Sequence, residues 1–179
     1  MDKQPLAKIG PVTAAEICLR YDAPTGVRRL LRSGLGVREL IDQLSAGKQY
    51  VDAIEFLAYA LPPREGVWWG GLCLQHSSGE ALSPAERAAA IAAVRWVIQP
   101  TDENAAAAKG PGGAVGMASP AGPLALAAGG GMRPGPYGAA QTVAMAVKLA
   151  TLKSPPAGMQ ETQRQYLELG IGVAEGKFA

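Results

Sequence analysis

Proline and glycine divide this chain into segments that are long enough only for short helices. Gly47, the pair Pro62-Pro63, Pro100 and the pair Pro155-Pro156 each follow a stretch whose apolar residues recur at helical spacing. Proline ends such helices because it lacks a backbone N–H and its ring clashes with the preceding turn. No alternating strand pattern persists in the sequence. The sequence therefore predicts an all-α fold, an irregular bundle of about seven to nine short helices, with HEAT-like helix pairs as an alternative arrangement.

The segment from Ser83 to Ile98 carries the clearest helix signal. Ser83 stands at the N-cap position, a proline follows it, and Glu86 lies three residues on, which is the spacing of a capping box. Within the helix, Ile91, Val94 and Ile98 recur at helical spacing, and small alanines lie between them. We expect these three aliphatic side chains to point into the core.

Shorter helices are predicted nearer the N-terminus. In 12–20, Thr13 is the expected N-cap, and Ile17 and Leu19 are the expected inward residues. In 37–46, apolar residues at i, i+3, i+4 and i+7 mark a single buried face. These residues are Val37, Leu40, Ile41 and Leu44.

A single helical domain over 1–179 is expected, because a chain of 179 residues suits one domain. Within it, the stretch 110–138 is dominated by glycine and proline. We predict a Gly/Pro-rich loop there, in which only 119–128 has the pattern of one short helix.

The charge balance and cysteine content limit the classes of partner and compartment. The net charge is only +2, without a basic stripe, so nucleic-acid binding is not expected. No apolar run reaches the length of a membrane span, and the N-terminal residues lack the apolar region of an export signal. The two cysteines, Cys18 and Cys73, are typical of a reducing compartment. We therefore expect a cytoplasmic protein.

Residues that could carry catalysis are few. His76 is the only histidine, and Cys73 lies three residues before it, which is too few ligands for a metal site. The glycine-rich strings match no phosphate-binding motif, so no cofactor is expected. A small helical enzyme using Glu65, Cys73 and His76 remains an alternative. However, Glu65 and His76 are eleven residues apart, about 16 Å along a helix.

The pair Trp68-Trp69 is the strongest local feature of the sequence. Adjacent helical residues point about 100° apart, so both rings can be buried only in a helix that is packed on two sides. An aromatic residue left at the surface can anchor a protein partner. With Arg64 and Glu65 at the start of the same helix, these four residues are the predicted partner-binding set.

One segment also resembles a known sequence family. The run from Phe56 to Trp69 is similar to the pattern F-L-A-x-A-L-P-x-R-E-x-V-W-W of an uncharacterised, alanine-rich bacterial family, a domain of unknown function. The stretch from Ala92 to Asn104 is similar to a second segment of that family, A-x-x-W-V-x-x-P-x-x-x-N. The resemblance implies an association with type VI secretion gene clusters.

Without a recognisable catalytic set, the residues favour recognition over catalysis. Together with the resemblance, they predict a non-enzymatic accessory, adaptor or chaperone-like protein that binds a secretion effector or a spike-tip protein. An immunity-type protein that binds a toxin is the second interpretation. The oligomeric state stays open.

Overall fold

The computed structural model describes residues 4–78 and 81–178, and their secondary structure is helical. Within these ranges there are ten α-helices and two short 3-10 turns, and the only β-type pairing is an isolated bridge between Thr13 and Gly36. The all-α prediction is thus confirmed. The helices are α1 (Ala14–Cys18), α2 (Thr25–Leu30), α3 (Val37–Ala46), α4 (Tyr50–Ala60), α5 (Pro63–Ser78), α6 (Pro84–Ile98), α7 (Asp102–Val115), α8 (Ala121–Ala128), α9 (Gly138–Thr151) and α10 (Met159–Glu175).

Local hydrogen bonds start several helices where the sequence predicts them. At the start of α6, the Ser83 N–H donates to the Glu86 carboxylate at 2.8 Å, and the Glu86 N–H donates to the Ser83 hydroxyl at 3.3 Å. Thr13 and Glu16 make the same reciprocal pair at α1. These bonds satisfy backbone donors that have no partner inside the helix, so both predicted capping boxes are confirmed.

Two neighbouring helices, α4 and α5, lie at the centre of the bundle. Helix α4 buries seven of its side chains and packs against α3, α9 and α10. Helix α5 packs against α6, α8, α9 and α10, and carries Trp69 fully buried in the core. Packing on several sides explains why this helix can accommodate two adjacent tryptophans.

The short helix predicted within 119–128 is confirmed as α8, but the loop predicted over the rest of 110–138 is wrong at its start. Helix α7 continues through Pro111 to Val115, and α8 follows after a 3-10 turn. The glycines here allow close contact between backbones: a Cβ on Gly122 would lie 1.9 Å from the carbonyl oxygen of Gly116. Between α7 and α9, the residues outside the α-helices and the 3-10 turn are 119–120 and 129–137.

The inward face predicted for α6 is also wrong. Its buried residues are Ala89, Ala93 and Val97, whereas the three predicted inward residues are exposed. The helix packs against α7 and α8, which are built largely from alanine and glycine. Small side chains let helix axes come close together, so Ala89 and Ala93 occupy this contact with Val97, and the other larger aliphatic side chains point away from it. The residues that point away are Ile91, Val94 and Ile98.

In α1 the predicted inward pair is divided. Ile17 is fully buried, but 86% of Leu19 is exposed, and Leu19 is already the C-cap residue. The helix is only five residues long, so its last apolar residue extends past the contact with α4. Leu19 is therefore a surface residue.

Candidate partner-binding surface

Three of the four predicted binding residues line one pocket. Arg64 and Glu65 lie in the first turn of α5 and Trp68 one turn later, and all three border an open cavity of about 320 Å³. Proline at 62 and 63 ends α4 and begins α5, which brings this first turn to the surface. We call this cavity the Trp68 pocket.

The other walls of the Trp68 pocket come from distant parts of the chain. Val97 and Ile98 are at the end of α6, and Val173 is on α10. Lys8 and Phe178 come from the two ends of the described chain. The N-terminal segment is held there because the backbone N–H of Lys8 donates to the carbonyl of Ala174 at 2.8 Å. The pocket is therefore apolar with a few charged groups at its edge.

Arg64 is positioned by the end of α6. Its Nε donates to the carbonyl oxygen of Val97 at 2.8 Å, which satisfies one of the carbonyls left free at the helix C-terminus. Its Nη1 lies 3.7 Å from Oε1 of Glu65, and about half of the Arg64 side chain is exposed. This guanidinium is therefore both anchored and accessible.

The two tryptophans have different roles. The indole Nε1 of Trp69 donates to the carbonyl oxygen of Tyr166 at 2.8 Å, and its ring is fully buried. Trp69 is therefore a core residue, and its predicted contact with a partner is corrected. Trp68 is only partly buried and lines the pocket, and its indole nitrogen has no hydrogen-bond acceptor among the described residues. Of the pair, Trp68 is the residue that a partner can reach.

A row of exposed aliphatic side chains extends from the pocket along α6. The exposed fractions are 53% for Ile91, 37% for Val94 and 68% for Ile98. Ile98 belongs both to this row and to the wall of the Trp68 pocket, so the two surfaces are continuous. We call Ile91, Val94 and Ile98 the α6 ridge. The sequence contained a signal for it, since Ala89 and Ala93 mark a small-residue face on the opposite side of the helix.

The residues of the alternative enzyme interpretation do not come together. Glu65 lines the Trp68 pocket, whereas His76 lies toward the other end of α5 with its ring 6.5 Å from that of Tyr166. Cys73 is fully buried between them, and burial raises the pKa of its thiol well above the usual value. A thiol held in its neutral form is a poor nucleophile, so these three side chains form no common site.

The described ranges offer neither a metal-binding cluster nor a membrane span. No group of three or more His, Cys, Asp and Glu side chains in 4–78 and 81–178 could hold a metal ion. None of the helices in those ranges combines the length and hydrophobicity that crossing a bilayer requires.

Comparison with known sequences assigns the chain to a sequence family. A family of unknown function, DUF6931, matches residues 40–174. The chain belongs to this family. The matched range contains Arg64, Trp68 and the whole α6 ridge, while Lys8 and Phe178 lie outside it. No match was found among curated proteins, and none among solved structures.

Proposed function

We propose that this protein is a non-enzymatic interaction protein that binds a protein partner on the Trp68 pocket and the α6 ridge. The observation that carries the proposal is the orientation of α6, which buries Ala89, Ala93 and Val97 and leaves the three residues of the α6 ridge exposed to water. Burying a large aliphatic side chain contributes about 1.5–3 kcal/mol, so a partner that covers the ridge gains a substantial stabilisation.

The position of the ridge supports recognition in particular. Isolated exposed apolar residues are ordinary, but a contiguous apolar surface next to a pocket is typical of an interaction site. Trp68 and Arg64 lie at that junction and belong to the residue types that most often dominate binding energy.

The partner that we propose is a secretion effector or a spike-tip protein of a type VI secretion system, which this chain would serve as an adaptor or chaperone. This part of the proposal is supported by the resemblance of the segment from Phe56 to Trp69. A toxin as partner would instead make the protein an immunity protein.

The test is co-purification with proteins of the same gene cluster, followed by reconstitution from two purified proteins. The variant Ile98→Asp places a charge on the ridge, and Leu152→Asp is its matched control, because Leu152 is 63% exposed just after α9. We expect wild type and Leu152→Asp to bind the same effector or spike-tip protein, and Ile98→Asp to bind it at least about tenfold more weakly.

Circular dichroism and thermal melting of all three proteins verify that each is folded. Equal binding by Ile98→Asp and wild type would contradict the proposed surface. Turnover of a metabolite by the purified protein that is lost in Cys73→Ala would contradict the non-enzymatic assignment.

A further inference from the structure

The α6 ridge has charged neighbours of one sign. Arg87 and Arg95 are exposed, and together with the ridge they occupy positions i, i+4, i+7, i+8 and i+11, which is one continuous face of an α-helix. Among the described residues, neither arginine forms an ion pair or donates a side-chain hydrogen bond. The exposed face of α6 is therefore apolar along its middle, with Arg87 in line with the ridge at its N-terminal end and Arg95 along one side.

The acidic residue of α6 does not offset these charges. Glu86 is turned toward Ser119 and Ser83, whose hydrogen bonds lower the pKa of its carboxyl to about 2. The Glu86 carboxylate is thus ionised, but it is already hydrogen bonded on another side of the helix. At the pocket end, Arg64 and Lys8 add positive charge, and Glu65 is the acidic residue that lines the pocket.

From this pattern we infer that the α6 ridge binds an acidic amphipathic helix of a partner protein; the inference rests on the proposed function and specifies its partner. Such a helix places aliphatic side chains at i, i+3, i+4 and i+7 over the ridge, and carries Asp and Glu along the side that faces Arg95 and at the end that faces Arg87. The face from Arg87 to Ile98 is about 16 Å long, which a partner helix of roughly twelve residues spans.

A second copy of this chain fits the same face poorly. Ridge packed on ridge would bring Arg87 and Arg95 of both copies into one interface, and like charges placed together there are destabilising. No carboxylate on this face of α6 is available to pair with them, since Glu86 is bonded elsewhere. The charges thus favour an acidic partner over self-association.

An anionic membrane is also a weaker match. A helix that lies in a membrane interface buries a wide apolar face and is usually anchored by aromatic residues. Helix α6 is held in the bundle by Ala89, Ala93 and Val97, so its own exposed apolar surface is a single narrow row. The aromatic side chains of Trp68 and Phe178 lie at one end of this row, in the Trp68 pocket. A folded partner helix can cover such a row completely.

Two synthetic fluorescein-labelled peptides of 16 residues test the inference. Both carry leucine at the i, i+3, i+4 and i+7 positions; the flanks are glutamate in one and lysine in the other. Fluorescence anisotropy with the full-length protein measures both affinities at low salt and at high salt. We expect the glutamate peptide to bind about tenfold more tightly, with a preference that weakens as salt is added.

A double variant provides the decisive comparison. Arg87→Glu/Arg95→Glu should reverse the preference in favour of the lysine peptide. Arg29→Glu/Arg133→Glu is the control, since it changes the net charge equally at exposed positions on other parts of the chain and should leave the preference unchanged. Ile91→Asp should weaken binding of both peptides.

Equal affinity for both peptides, no binding of either, or an unchanged preference in the double variant would overturn the inference. It would equally be overturned if the protein dimerised through Ile91 in sedimentation experiments, or bound phosphatidylserine vesicles instead of the peptide. If capture of the native partner still depends on Ile98 in any of these cases, the inference alone fails. If capture is also independent of Ile98, the proposed function fails with it.

Discussion

Replacing Gly170 by alanine probes a close contact between helices in the core. Gly170 lies on α10 where this helix crosses α4 and α5. A Cβ atom at this position would lie 2.6 Å from Cε2 of Trp69 and 2.7 Å from Cδ2 of Leu57. Trp69 cannot easily move away, because its ring is fully buried and its Nε1 is hydrogen bonded to Tyr166.

Two opposing contributions determine how Gly170→Ala changes the free energy of unfolding. Alanine is favoured over glycine inside a helix by about 1 kcal/mol. Forcing an extra methyl group into a packed core costs about 1–3 kcal/mol, and a rigid ring as the neighbour puts this site near the upper end. We therefore expect Gly170→Ala to lower the free energy of unfolding by about 1–2 kcal/mol.

Gly71 on α5 is the matched control, since a Cβ atom added there would have no atom of a neighbouring group within 4 Å. Gly71→Ala should gain the helix preference alone and stabilise the protein by up to about 1 kcal/mol. The two variants then differ by about 2–3 kcal/mol, or roughly 4–12 °C in melting temperature at 2–4 °C per kcal/mol.

Urea denaturation and thermal melting of both variants measure this difference. Tryptophan fluorescence follows the contact through Trp69, and Trp68 and Trp96 also contribute to the signal. A Gly170→Ala variant as stable as Gly71→Ala would refute the reasoning, because α10 would then not approach α4 and α5 as closely as described.

Three further predictions concern pH, thiol chemistry and two residues at the C-terminal end of α1. Hydrogen bonds from Ser119 and Ser83 lower the pKa of Glu86 from 4.5 to about 2, so its ionised form stabilises the fold above pH 4.5 and this contribution is lost as the pH falls towards 2. Urea denaturation should therefore show Glu86→Gln to be less stable than wild type at pH 7, by about 1 kcal/mol, and equally stable near pH 2. Cys73 should react with a thiol reagent only as fast as the protein unfolds, and rapid labelling of the folded protein would contradict its burial. Ile17→Ala should cost about 2–5 kcal/mol, whereas Leu19→Ala should change stability by less than about 0.5 kcal/mol; similar losses in both would contradict the description of α1.

Sequence reasoning located part of the candidate surface correctly. Arg64, Glu65 and Trp68 are within four residues of one another at the start of a helix, so their closeness in space follows from local helix geometry alone. Lys8 and Phe178 join them only through the packing of the chain ends against α10, for which the local pattern contains no signal. Which of the two tryptophans is fully buried likewise depends on which side of α5 faces α10.

Several helix starts and stops, such as those at Ser83 and Pro62, are local events that the sequence alone determined, whereas α7 continues through Pro111. A serine hydroxyl reaches a backbone N–H three residues away, and a proline lacks its donor, whatever the rest of the chain does. Only the tertiary structure decided which face of α6 is buried. Its neighbours α7 and α8 pack so close to it that alanine fits in the contact and isoleucine does not. The same holds for 110–138: a glycine permits either a turn or a close helix contact, and the helix packed against it decides which one forms.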